Sequence, residues 1–135
     1  MAVLVLNDAT ITVNSIALTD HANSVTINYE IDSVETTAFG SSGHKFTGGL
    51  QNNSIDIDFM QDFAASNVEA TIYPLVGTTT TIVIKPTSAA VGATNPSYTL
   101  TGCFLASHTP VASAVGELAM TSLSFTGGVL TKAVA

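Results

Sequence analysis

The chain has 135 residues, 46% hydrophobic and only 10% charged, enough apolar material for one domain with one core. Ten acids stand against three lysines (Lys45, Lys85, Lys132), arginine is absent, and the formal net charge is −7. Gripping nucleic-acid phosphates needs clustered cations, so that function is excluded, while an acidic surface that repels DNA is not.

So little charge suits a subunit that covers its surface with copies of itself, or a secreted structural protein. The lone Cys103 rules out an intramolecular disulfide and a cysteine zinc site. Met1 to Asn7 lacks the basic and long apolar parts of a secretion signal, and no run reaches about 20 apolar residues. The expectation is a protein made in the cytoplasm, with no membrane partner.

In chain order, Leu4 to Val13 and Ser15 to Leu18 read as short strands, with Asn14-Ser15 as a hairpin turn. Ser24 to Asp32 and Ser54 to Phe63 alternate apolar and polar residues, the mark of strands buried on one side. Val25, Ile27, Tyr29 and Ile31 share one face, as do Ile55, Ile57, Phe59 and Phe63. The opposite faces carry Glu30, Asp32, Asp56, Asp58 and Asp62. Paired as a hairpin, these strands would gather half of the acids on one solvated surface.

Residues 33–53 form the middle of that hairpin, an extended loop with Gly40 to His44 at its tip. Gly48-Gly49 and Asn52-Asn53 predict bulges in the returning strand. Ser66-Asn67-Val68-Glu69 fits a capping box. Val68, Ile72, Leu75 and Val76 follow at helical spacing, Pro74 limits the helix, and Gly77 stops it. Thr78 to Ile84, Tyr98 to Ser107 and Glu117 to Phe125 read as strands, with Tyr98, Leu100, Gly102, Phe104 and Ala106 on one side. Gly127-Gly128 reads as a hinge before a C-terminal arm, residues 127–135. The whole predicts a single, mainly β domain over residues 1–135, a sandwich or barrel of roughly six to eight strands with one short α-helix.

No catalytic constellation emerges. His21, His44 and His108 fall in predicted loops without a metal-ligand spacing and read as solvated, with His44 placed for a subunit contact. Asp56-x-Asp58 lies on a strand rather than in a glycine-bearing cation loop, and reads as a solvated face. There is no nucleophile elbow and no phosphate loop. Cys103 reads as a small core residue. No enzyme activity, cofactor or metal is expected.

Three stretches resemble the phage tail tube family, the major tail proteins of long-tailed phages. Leu50 to Phe59 resembles the family's return from its long loop. Pro74 to Gly77, followed by the β run to Lys85-Pro86, is similar to its helix-to-strand passage. Ser122 to Thr131 resembles its terminal strand. The resemblance implies a sandwich or barrel subunit forming hexameric rings that stack into a hollow tube through which DNA passes without specific binding. It implies a virion protein assembled in the host cytoplasm, with tape measure, tail terminator and tail tip proteins as further partners. In that frame Glu30, Asp32, Asp56, Asp58 and Asp62 form an acidic lumen face that keeps DNA from sticking. Glu35, Phe39, Gly40, Gly43, His44, Lys45 and Phe46 form an inter-ring loop. Val129, Leu130 and Lys132 make arm contacts. The short chain, without an appended Ig-like domain, suggests a minimal version. The other reading is a capsid decoration or cement protein, or a β-rich surface adhesion module.

Overall fold

A computed structural model describes residues 8–65 and 67–134. Ten strands and one short α-helix make up the regular structure of these residues. They are β1 (Thr10–Val13), β2 (Ile16–Ala17), β3 (Ala22–Asn28), β4 (Ile31–Glu35), β5 (Phe46–Gln51), β6 (Ser54–Met60), α1 (Val68–Ile72), β7 (Thr79–Lys85), β8 (Ser97–Leu105), β9 (Met120–Thr126) and β10 (Val129–Ala133). The mainly β expectation holds, and the strand count exceeds it because the long hairpin divides into four strands. The part of the first predicted strand before Asp8 lies outside the described residues.

Eight strands form one antiparallel sheet in the order β2-β1-β7-β8-β9-β6-β3, with β10 also on β8. The sheet folds over a core that takes Ile55, Ile57, Phe59, Leu123 and Phe125 from one half. The other half supplies Ile11, Val13, Ile82, Ile84, Leu100 and Leu105. Helix α1 adds Val68 and Ile72. Burying each such side chain contributes roughly 1.5–3 kcal/mol.

Turn chemistry directs the chain. Asn14 and Ser15 both have positive φ, 50° and 68°, the primed turn whose twist matches a two-residue hairpin. It joins Val13 to Ile16 as expected. Helix α1 ends in a 3-10 turn over Tyr73–Leu75 that contains Pro74, because proline cannot donate to the helical ladder. Gly77 follows at φ +82°.

Strand β8 departs from simple alternation. Its register with β7 slips between Thr80↔Cys103 and Thr81↔Thr101, which leaves Gly102 as an extra residue at φ +77°. A left-handed glycine at a bulge reverses the alternation beyond it. Leu100, Cys103 and Leu105 are therefore the buried set, and Phe104 is exposed. The predicted face through Gly102, Phe104 and Ala106 is thereby corrected.

β9 and β10 both lie along β8 and bend at Gly127-Gly128. A Cβ on Gly128 would stand 2.4 Å from the Thr101 carbonyl oxygen, so only glycine fits there. The segment read as an arm is, over Val129–Ala133, a strand of the main sheet. The last predicted strand starts later than expected, at Met120, and residues 106–119 are a loop.

Candidate assembly surfaces

The two acidic alternating stretches do pair, as β3 with β6. β6 also pairs with β9, and that register sets the outer face. Asp56 stands between Thr26 and Ser124, and Asp58 between Ser24 and Ser122. The face is built of hydroxyls and carboxylates, with Ile55, Ile57 and Phe59 directed into the core.

The other three predicted acids are not on it. Glu30 and Asp32 lie where β4 and β5 leave the main sheet. Asp62 lies past the end of β6, where its Oδ2 is 2.7 Å from His21 Nε2 and accepts from Asn67 Nδ2 at 2.9 Å. Its Oδ1 accepts from the Ala64 N–H at 2.9 Å. The Ala64 N–H, then His21, hold the Asp62 carboxyl below its ordinary pKa. Asp62 therefore anchors the approach to α1 rather than facing solvent on the sheet.

β4 and β5 form a separate two-stranded ribbon. Every residue of β4 and all but Gln51 of β5 are exposed. The bulge expected in the return is present: Ile31 pairs with Gln51 but Ser33 with Gly48. A Cβ on Gly49 would press on Val34 Cγ2 at 3.1 Å and the Asp32 carbonyl at 3.2 Å. Seven predicted loop residues (Glu35, Phe39, Gly40, Gly43, His44, Lys45 and Phe46) all lie on this ribbon or its tip. There Glu35 Oε2 is 2.7 Å from His44 Nδ1 and accepts from Thr37 Oγ1 at 2.9 Å. Thr37 Oγ1 accepts from the Lys45 N–H at 2.9 Å. The tip is thus tied, yet Phe39, Phe46 and Leu50 are wide open, Phe39 at 108% exposure. A lone two-stranded hairpin is marginally stable in water, and these apolar side chains are left uncovered in the single chain.

Asn53 joins the ribbon to the sheet, a role the sequence reading missed. It is 1% exposed. Its Oδ1 accepts from the Glu30 N–H at 3.2 Å, and its Nδ2 donates to Gln51 Oε1 at 2.8 Å and the Gly128 carbonyl at 3.2 Å. Gln51 Oε1 in turn accepts from the Leu130 N–H at 3.1 Å. Of the predicted arm residues, Val129 and Leu130 therefore lie beside the ribbon's root, while Lys132 lies further along β10, opposite Tyr98.

The histidines correct another expectation. His108 is buried, its side chain 3% exposed, with Nε2 2.8 Å from Glu69 Oε2 and Nδ1 3.3 Å from Thr121 Oγ1. His21 is paired with Asp62, and only His44 is solvated, on Glu35. Their partners lie 41, 39 and 9 residues away in sequence for His21, His108 and His44, beyond any local spacing rule. The Glu69 carboxylate takes His108 and Gln61, the N-cap of α1 is Asn67 without a side-chain capping bond, and Ser66 of the predicted capping box lies outside the described residues.

Chemistry of other kinds finds little support. Among the described residues no group of three or more His, Cys, Asp or Glu is placed to hold a metal. The Cys103 thiol is buried and pushed up by desolvation, the opposite of an activated nucleophile.

No protein-family profile matches the sequence, and no curated protein matches it. Solved structures match the fold. A chain of the sheath/tube terminator of an extracellular contractile injection system (PVC, extended state) superposes with TM-score 0.72 at 14% identity, over 98% of this chain and 97% of that one. A chain of the anti-feeding prophage tube-terminating cap gives 0.69 at 15%, over 100% and 95%. A chain of the native gene transfer agent virion gives 0.65 at 14%, over 94% and 96%. The chain has a tail-tube-like fold, the one shared by these subunits of phage-tail-like particles.

Proposed function

We propose that this protein is a structural, non-enzymatic subunit of a phage-type tail or tail-like particle, one that forms rings stacking into a hollow tube. The carrying observation is the exposed apolar ribbon on a tail-tube-like fold. It is an element without a covering surface in the single chain, and a neighbouring copy would supply one. In this reading the rings are of six subunits, as the family resemblance implies, and the protein belongs to the tail of a virion assembled in the host cytoplasm. The ribbon, with Glu35, Phe39, Gly40, Gly43, His44, Lys45 and Phe46, reaches the next ring. Val129, Leu130 and Lys132 support it from β10. Asp56 and Asp58, flanked by Glu30 and Asp32, face the lumen. Asp62 drops out of that face because His21 holds it.

A lumen lined by carboxylates and hydroxyls lets a duplex pass without adhesion, since like charges repel. Terminator, tape measure and tail tip proteins would meet the ends of the tube. A second reading, a tube-end subunit that stops growth, is favoured by the similarity to the sheath/tube terminator chain.

Electron microscopy of the purified protein separates these. Hollow tubes of stacked six-membered rings are expected. Single rings that do not stack would favour the tube-end role. Trimers or monomers that bind only to capsid shells would overturn both. Reversing Asp56 and Asp58 to lysine is expected to slow DNA ejection while leaving tube length unchanged, and unaltered ejection would remove the lumen assignment.

A further inference from the structure

The long loop over residues 106–119 is fixed at its base and apolar at its tip. Gln61 holds both sides of the base: its N–H donates to the Ala119 carbonyl at 2.9 Å, and its Nε2 to the Pro110 carbonyl at 2.8 Å. Inside the loop the Glu117 N–H donates to the Ala114 carbonyl at 3.2 Å. The Ser113 hydroxyl lies 3.2 Å from the Glu117 carbonyl and 3.4 Å from that of Leu118. Yet Val115 is 104% exposed and Leu118 is 64% exposed. Glu117 between them is also exposed, and its carboxylate makes no ion pair among the described residues. A tied loop with aliphatic residues turned outward has borne an ordering cost without burying its own tip.

A hollow of about 200 Å³ opens at the other end of β8. Val25, Ile27, Ile84, Pro86 and Tyr98 line it, and Lys85 stands at its side. Tyr98 pairs with Ile84 on one side and with Lys132 on the other, so all three share one sheet face. Lys85 and Lys132 are two of only three cations in the chain, and neither forms an ion pair among the described residues. The Lys85 ammonium donates only to the Ala89 carbonyl, at 3.0 Å. In a chain of net charge −7, the Lys85 ammonium at the side of this apolar hollow suits an apolar ligand that carries an acid.

We propose that the occupant is the 106–119 loop of a second copy, with Val115 and Leu118 in the hollow and Glu117 against Lys85. The loop leaves the C-terminal end of β8 and the hollow lies at its N-terminal end, roughly 20 Å away along the strand. Different patches of the same molecule therefore meet, head to tail. Such heterologous contacts generate closed rings or open stacks. The contact rests on the assembly reading above and adds to it the residues that specify which copy faces which.

Charge exchange tests the contact. Glu117→Lys, and separately Lys85→Glu, should each raise the protein concentration needed for assembly about tenfold. Both changes together should restore it to near the wild-type value. Leu118→Ser should weaken assembly as well, and thermal melts should leave the unassembled Glu117 and Leu118 variants as stable as the parent, because these two side chains are exposed. Wild-type tubes accompanied by unaltered assembly of the variants would overturn the contact alone, as would a double charge-exchange variant no better than the single ones. A wild-type chain that never associates would overturn the tube reading, and the contact with it.

Discussion

Strand β6 and the ribbon β4–β5 are written in the same pattern and meet opposite fates. Ile55, Ile57 and Phe59 alternate with Asp56 and Asp58, and all three apolar side chains are fully enclosed. Ile31, Val34, Phe46 and Leu50 belong to the continuation of the same hairpin, and all four are exposed. The difference is not in the residues but in what lies over them. β6 has β3 and β9 beside it and the other half of the sheet across the core. The ribbon has only itself. Alternation says which residues share a face, and only the rest of the chain, or another chain, says what covers that face.

That contrast can be broken most sharply by shortening one aromatic in each region. Phe125→Ala removes a fully enclosed ring and should cost about 3–5 kcal/mol, read as a large drop in the urea midpoint of the unassembled chain. Phe46→Ser should leave that midpoint within about 0.5 kcal/mol of the parent and instead abolish or slow tube formation. Equal destabilisation by the two would mean that the ribbon already belongs to the core.

A smaller effect is expected at the joint between the regions. Asn53→Ala leaves the Glu30 N–H and the Gly128 carbonyl without their partner, which should cost about 1–3 kcal/mol. Proteolysis should then cut the ribbon sooner than the main sheet. Simultaneous loss of both would show that Asn53 supports the whole fold rather than the joint.

The smallest effect concerns pH. The Ala64 N–H and His21 keep Asp62 ionised to a lower pH than a free carboxyl. Its contribution is present above the unfolded-state value and is lost as pH falls through the lowered native one. Asp62→Asn should therefore flatten the acid limb of a stability–pH curve, lowering stability slightly near neutrality and changing little in acid, where the contribution is already lost. An unchanged acid limb would remove Asp62 from the account.

Much of the fold is legible because local chemistry agrees with it. The primed turn at Asn14-Ser15, the truncation of α1 at Pro74 and the alternation of β3 and β6 each follow from a few neighbouring residues. The reading slips where one residue changes the phase or the partner is distant. Gly102 inserts a bulge that exchanges Phe104 for Cys103 in the core, and a glycine in a strand does not announce which side it will turn. His108 lies in a loop, and nothing near it in sequence points to Glu69 or Thr121. The acidic stretches pair as expected, but Asp62 is drawn away by His21, whose approach depends on the fold of the entire first half. The proposed assembly surfaces are legible as uncovered features, an apolar hairpin and a sparse set of charges, and no local pattern in one chain says what would cover them.

Hydrogen exchange of the ribbon amides, followed in the unassembled protein and in the tube, tests the central claim most directly. Fast exchange over residues 31–51 before assembly is expected, with strong protection after it, while β6 and β9 stay protected throughout. The same ribbon protection in both states would contradict the claim that a neighbouring copy covers it.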